Sequence, residues 1–306
     1  MIEPETFANA RTPDTAPDDA LALDALSIFE SQDGPLAYRD AGPRDADAAA
    51  DAPAVLVLLH SGFVDHTQFD NLIPGLTALG YRVIAPDARG HGRSANASRP
   101  FRPTDDLAAL LRHLGLRQVV LVGVSMGAMT GVDTAIEHPD LVRALVVSGR
   151  GLGEPDLDDA WAAALHQRQF DALAAGDIQG YLDHFVQWIA GPRRPLADVD
   201  PAIVAHVREM ALCTLAKHTP DEPNHVVPVE DVPGRAKGIR VPVLAVNGAL
   251  DAPGVLATTD HLIRTVPNGR TVLLDGAAHY TTQEAPEQFT RALLAFLRSV
   301  DAVGPA

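Results

Sequence analysis

A single cysteine, Cys213, stands in 306 residues. No disulfide can form within the chain, and no cysteine-based zinc site can be built from it. The plain expectation for this residue is a small, buried, apolar side chain. Nowhere does the sequence run through about 18 consecutive apolar residues, the length that a membrane-crossing helix needs. Basic blocks are missing too: Lys and Arg number 24 against 40 Asp and Glu, for a net charge of −16. That balance excludes a nucleic-acid footprint and would be repelled by an anionic membrane surface. Residues 1–20 lack the basic start and unbroken apolar stretch of a secretory signal, so cytoplasmic residence is expected by elimination. What is abundant is apolar: 46% of the chain, enough for a large core. A chain of this length suits one α/β core carrying an insertion. Its Ala/Arg/Asp-rich style suggests a GC-rich bacterial source.

The pattern along the chain has four parts. Residues 1–20 are rich in Pro, Asp, Thr and Ala, without period, and read as a flexible tail. LSIFES and LAYRD, joined through Asp33-Gly34, read as a hairpin. A small-residue acidic loop (41–53) follows. Continuous apolar runs then alternate with helical stretches: AVLVLLH (54–60), YRVIAPD (81–87), QVVLVG (118–123) and LVRALVVSG (141–149) are strands, and 66–79, 103–115 and the segment up to Pro139 are helices. Thr104 is the expected N-cap of the second of these. Strands alternating with helices predict a mostly parallel sheet covered on both faces. Residues 151–235 break the rhythm and read as helices, an inserted helical cap. The alternation returns with VPVLAVNG (241–248), RTVLLDG and a closing helix over 284–299. The predicted division is therefore a tail (1–20), a core (21–150 and 236–300) and a cap (151–235).

Gly123-Val124-Ser125-Met126-Gly127 sits between a strand and a helix. A serine on so sharp a bend stands clear at the sheet's C-terminal edge, and the glycines remove side chains that would strike the neighbouring strand and helix. An ordinary turn serine would explain the five residues alone, but not their place between strand and helix. A serine hydroxyl is a weak nucleophile without a base, and the base needs a carboxylate to orient it. The chain supplies both in the order Ser, acid, His: Asp251 follows one buried strand and His279 follows the last. Asp275 is the rival acid, set aside on chain order. Two backbone N–H groups are needed for the developing oxyanion. Met126, after the serine, offers one, and Phe63, in the loop His60-Ser61-Gly62-Phe63, offers the second.

GVSMG, HSGF, DARGHGRS (87–94), NGALD and GAAHYTTQEAPEQF together resemble an α/β-hydrolase fold serine hydrolase with a helical cap. The resemblance covers about residues 21–300. It implies the α/β-hydrolase fold, a mostly parallel central sheet flanked by helices, and a structural role for the Asp87-to-Ser94 turn. Serine in place of aspartate as nucleophile disfavours a haloalkane dehalogenase or an epoxide hydrolase. The implied reaction is hydrolysis of a carboxylic ester or lactone of a small to medium apolar molecule, without cofactor. The same triad could serve C–C bond hydrolysis, perhydrolysis, acyl transfer, or a lyase or cyclisation step; a non-enzymatic small-molecule receptor is the alternative from another class. The only partner implied is the small-molecule substrate.

Among the remaining residues, His60 reads as a buried structural imidazole. His66 reads as a helix-start residue that could also touch substrate. Tyr181, Phe185 and Trp188 share one helix face in the cap, where core packing and a pocket roof coincide. Phe185, Trp188, His66 and Tyr280 are the candidate substrate contacts, with Trp161 and Phe170 behind them. The cap histidines show no ligand spacing, so no metal site is expected.

Overall fold

A computed structural model describes residues 26–44, 54–153, 159–219 and 221–301. The tail expected over 1–20, and most of the loop expected over 41–53, lie outside the described residues.

The N-terminal hairpin forms as its Asp-Gly turn predicts. Strand β1 (Ser27–Ser31) pairs antiparallel with β2 (Gly34–Ala41). Strands β3 (Leu56–Leu59), β4 (Val83–Pro86), β5 (Val119–Val124), β6 (Val142–Ser148), β7 (Val243–Gly248) and β8 (Gly269–Leu274) complete the sheet. Among the described residues the sheet has eight strands in the order β1-β2-β4-β3-β5-β6-β7-β8. β2 meets β4 antiparallel, and every pair from β4 to β8 is parallel.

The central strands are apolar throughout because both of their faces are covered. Alternate residues point to opposite sides. Val57, Leu121, Leu145 and Ala245 pack on one face with Leu110 and Leu262. Leu56, Val120, Val146 and Leu244 pack on the other with Ile73 and Phe289. Leu121 is fully buried, and truncating such a leucine to alanine costs about 2–5 kcal/mol.

Helices α1 (Ile73–Ala78), α2 (Pro103–His113) and α3 (Met126–Glu137) follow β3, β4 and β5 in turn. The stretch expected as one helix over 66–79 divides into a 3-10 turn, His66–Phe69, and α1. Thr104 is not the N-cap of α2. The helix begins at Pro103, whose fixed φ suits the first turn, and the Thr104 hydroxyl is buried against Thr134 Oγ1 at 2.9 Å.

Between β6 and β7 lie α4 (Ala160–Ala174), α5 (Ile178–Phe185), α6 (Gln187–Ala190), α7 (Pro201–Leu215) and α8 (Val232–Arg235). α9 (Pro253–Thr265) and α10 (Thr281–Glu284) lead to the closing helix α11 (Pro286–Asp301). α4 to α7 form a third apolar cluster with Val64, Val255 and Tyr280. Asp159 fixes the start of α4: one carboxylate oxygen accepts from Ala162 N and the other from Gly254 N at the head of α9. Cys213 is exposed, against the expectation of burial. The buried stripe of α7 runs through Val207, Met210, Ala211 and Thr214, a helical spacing that leaves position 213 facing out.

Candidate active site

Ser125 occupies the bend between β5 and α3 with φ 52° and ψ −110°. This left-handed backbone costs on the order of 1–3 kcal/mol for a residue with a side chain, and the surroundings hold it. Its N–H still continues the sheet, donating to Ser148 O at 2.8 Å. The two glycines are sterically required. A Cβ on Gly123 would lie 2.3 Å from Gly127 O, and one on Gly127 would lie 2.1 Å from Leu59 O. The two glycines let the start of α3 lie directly against β5 and the end of β3.

The parallel strands deliver the other groups to the same edge. The β7 loop carries Asp251 and the β8 loop carries His279. Asp251 Oδ2 lies 2.9 Å from His279 Nδ1, and Asp251 Oδ1 accepts from Ala252 N at 2.8 Å. Both residues are buried. Burial works to lower the His279 pKa, but the charge and hydrogen bond of Asp251 outweigh it and hold the imidazole above its ordinary value. Asp275, the rival acid, is exposed.

Ser125 and His279 line one cavity of about 280 Å³, together with Phe63 and Met126. Phe63 has φ 62°, again left-handed. The loop before it is braced at both ends. Ala88 N donates to His60 Nε2 at 2.9 Å, so the proton sits on Nδ1, which donates to Ser61 O at 2.7 Å. Burial lowers the His60 pKa, in keeping with this neutral ring. Ser61 N donates to Gln68 Oε1 at 2.9 Å. The Phe63 ring packs 5.5 Å from Tyr181 and 5.6 Å from Phe185 between centroids, so this side chain is part of the roof.

Phe185, Trp188 and Tyr280 line the cavity, and Tyr181 joins them. Trp161 packs edge-on against Trp188 at 5.1 Å behind the wall, whereas Phe170 is 67% exposed. His66 is a correction: it does not line the cavity. Its backbone N–H and Nδ1 both meet Asp87 Oδ1, at 2.9 and 2.7 Å. Burial alone would lower its pKa, but the Asp87 bond and charge raise it. Asp65, His66 and Asp87 bring three ligand-type atoms within 4.8 Å. Asp65 Oδ1 accepts from Thr67, and Asp87 Oδ2 accepts from Arg93 N at 2.8 Å. The Asp65 oxygen caps the 3-10 turn, and the Asp87 oxygens hold the turn after β4 and join the two. The turn after β4 is tied to α2 by Arg89, bidentate to Asp106 at 2.7 and 2.9 Å.

Sequence reasoning missed four residues here. Glu284 accepts from Ala278 N and Tyr280 N, both at 3.1 Å, and so grips the backbone on either side of His279. Arg194, from the inserted segment, donates to Glu284, to Gly276 O at 2.8 Å and to Ile189 O at 2.8 Å. Arg150, just past β6, and Gln169, on α4, both line the cavity. No local motif marks any of them; their roles arise from loops meeting in space.

A family model described as the alpha/beta hydrolase fold matches residues 54–286. Epoxide hydrolase A of Mycobacterium tuberculosis is 26% identical, aligned across 83% of this chain and 93% of its own length. 3-Oxoadipate enol-lactonase 2 of Acinetobacter baylyi is 25% identical across 71% of this chain and 79% of its own. The crystal structure of a hydrolase from Pseudomonas aeruginosa PA01 superposes with a TM-score of 0.69 at 26% identity, covering 90% of this chain and 98% of the other.

Proposed function

The chain belongs to the α/β-hydrolase fold family, and on that premise we propose that it is a serine hydrolase cleaving a carboxylic ester or lactone of a small to medium molecule. The observation that carries this reading is the convergence in one cavity of Ser125 on its strained bend and His279 paired with Asp251. His279 Nε2 accepts the hydroxyl proton as Ser125 Oγ attacks the carbonyl carbon. Asp251 fixes the tautomer with the proton on Nδ1 and stabilises the imidazolium that forms. The backbone N–H groups of Met126 and Phe63 receive the oxyanion. The alcohol leaves with the proton from His279. Water, deprotonated by the same imidazole, then opens the acyl-enzyme and restores Ser125.

Residues 151–235 act as the cap of this site, with α5 and α6 supplying an apolar roof through Phe185 and Trp188. A relative named an enol-lactonase lends the lactone arm some support. The relative named an epoxide hydrolase shares the family; a serine at the bend favours an acyl-enzyme here.

The reading is tested with 4-nitrophenyl esters of graded chain length and a panel of γ- and δ-lactones. Turnover by the native protein and a loss of at least about 10³-fold in Ser125→Ala are expected. Turnover that survives in Ser125→Ala would refute it.

A further inference from the structure

Three hydroxyl-bearing residues line the cavity that holds Ser125 and have no part in the chemistry above: Ser61, Tyr181 and Tyr280. Each is almost wholly buried, at 4%, 3% and 1% exposed. Ser61 and Tyr280 meet through a side-chain hydrogen bond. Tyr181, on α5, stands close enough that its charge would disfavour ionisation of Tyr280. The Tyr181 ring is held between Phe63 and Phe185, with centroids 5.5 and 5.9 Å away. Its hydroxyl, however, meets no hydrogen-bond partner among the described residues. The unpartnered side-chain atoms that are cut off from solvent belong to other residues, so this oxygen opens onto the cavity that its side chain lines. A buried phenol usually finds a partner, because leaving the group unpaired costs free energy. In a cavity wall, a bound molecule can supply that partner.

We propose that the substrate carries a second, uncharged oxygen, a ketone or a hydroxyl, which accepts a hydrogen bond from Tyr181 and lies against the Ser61–Tyr280 pair. The inference rests on the hydrolase reading above and deepens it: the substrate is an oxo- or hydroxy-substituted ester or lactone rather than a plain apolar one. Burial raises the pKa of both phenols, so each keeps its proton across the neutral range. A phenol O–H is then a neutral donor, and a ketone or hydroxyl oxygen is its matching acceptor. Ser61 stands two residues before Phe63, and Tyr280 directly follows His279. Two residues span at most about 7 Å, so the second oxygen lies only a few bonds from the carbonyl that Ser125 attacks. Phe63 and Phe185 fix the phenol ring before substrate arrives, which lowers the cost of forming the bond.

The test uses matched esters that differ by one oxygen function, followed by titration of the acid released. Methyl 3-oxobutanoate, 4-oxopentanoate and 5-oxohexanoate are each paired with the methyl ester of the parent acid. 2-Methoxyethyl butanoate, paired with butyl butanoate, probes the alcohol side. For each pair the ratio of kcat/KM is divided by the ratio for hydroxide-catalysed hydrolysis, which removes intrinsic reactivity. The native enzyme should favour the oxygenated member of at least one pair. Tyr181→Phe removes only the oxygen and should lower that corrected ratio by about five- to tenfold. Its Tm should not fall, since the hydroxyl leaves no protein partner behind. Ser61→Ala should lower the ratio by a smaller factor. A corrected ratio of one in every pair would overturn the proposal. So would an equal loss on both members in Tyr181→Phe, or a lower Tm with the ratio intact, which marks a structural hydroxyl. Failure of the hydrolase reading looks different: no ester is turned over. Binding of the same pairs is then read from the fluorescence of Trp188, in the cavity wall, and of Trp161 beside it. Tighter binding of an oxygenated ester than of its parent, lost in Tyr181→Phe, would still support the site. Equal binding within every pair would overturn it.

Discussion

Gly149→Ala tests the site by pushing on it from outside the triad. Gly149 has φ +69°, and a Cβ placed there would lie 2.8 Å from His279 Cε1 and 3.0 Å from Nδ1. Ordinary contact begins at 3.4 Å, so the imidazole must withdraw by about 0.6 Å. It has little room. Trp188 and Tyr280 hold the ring at centroid distances of 5.6 and 5.8 Å, and Asp251 holds Nδ1 at 2.9 Å. A misplacement of about 1 Å in a catalytic group costs on the order of 10²-fold, so a loss of at least about tenfold in kcat/KM is expected. The left-handed backbone adds roughly 1–2 kcal/mol of strain to any alanine there, a Tm shift of roughly 2–4 °C per kcal/mol. Gly153→Ala separates the two effects. Gly153 has φ +83° with nothing among the described residues within 4 Å of its Cβ, so it should show the strain and keep the activity. The assay is kcat/KM on 4-nitrophenyl acetate beside a thermal melt for each variant. Full activity in Gly149→Ala, or equal losses in both variants, would refute the reasoning.

Other predictions follow from the charges. In the proposed mechanism the neutral form of His279 is the base, and its pKa is held above the ordinary 6.5, so kcat/KM should rise with pH through a limb above that value. Asp251→Asn removes the raising charge and should shift the limb to lower pH while cutting the rate by roughly 10³–10⁴-fold; a pH–rate profile of each protein checks this. The same ion pair stabilises the fold fully below about pH 6.5, and that contribution fades as pH rises through the folded value. Asp133 is pushed from 3.8 up to about 6, by burial first and by the Glu137 charge second. Its ionised form therefore weakens the fold increasingly between those values, so Asp133→Asn should gain on the order of 2 kcal/mol at pH 7.5 and nothing at pH 3.5, read from melts at the two pH values. Glu284→Gln turns an amide N–H₂ or a weaker acceptor toward Arg194 and the two backbone N–H groups beside His279. It should lower kcat/KM by about tenfold or more and destabilise by about 3 kcal/mol, measured by the same assay and by urea unfolding.

The sheet was legible because burial on both faces writes continuous apolar runs, and each of the parallel strands falls on the run that predicts it, with β5 and β8 reaching one residue beyond theirs. The bend at Ser125 was legible because Gly123 and Gly127 leave no alternative residue, as their near-contacts with backbone show. Asp251 and His279 were found through their place after strands, since parallel strands bring such loops to one edge. Cys213 and Thr104 were misjudged for a common reason: a residue type was read without the face it occupies. Tertiary contact decides the rest. Glu284, Arg150 and Gln169 gain their places from segments far apart in the chain, and His66 turns toward Asp87, 21 residues on.

The central claim is that Ser125 is a nucleophile activated by His279, and covalent labelling tests it most directly. The purified protein would be treated with a fluorophosphonate and the adduct located by mass spectrometry, with His279→Ala treated in parallel. A stoichiometric adduct on Ser125 in the native protein, abolished or slowed by orders of magnitude in His279→Ala, is the result predicted. No adduct on Ser125 in the folded native protein, or labelling that proceeds at the same rate without His279, would contradict it.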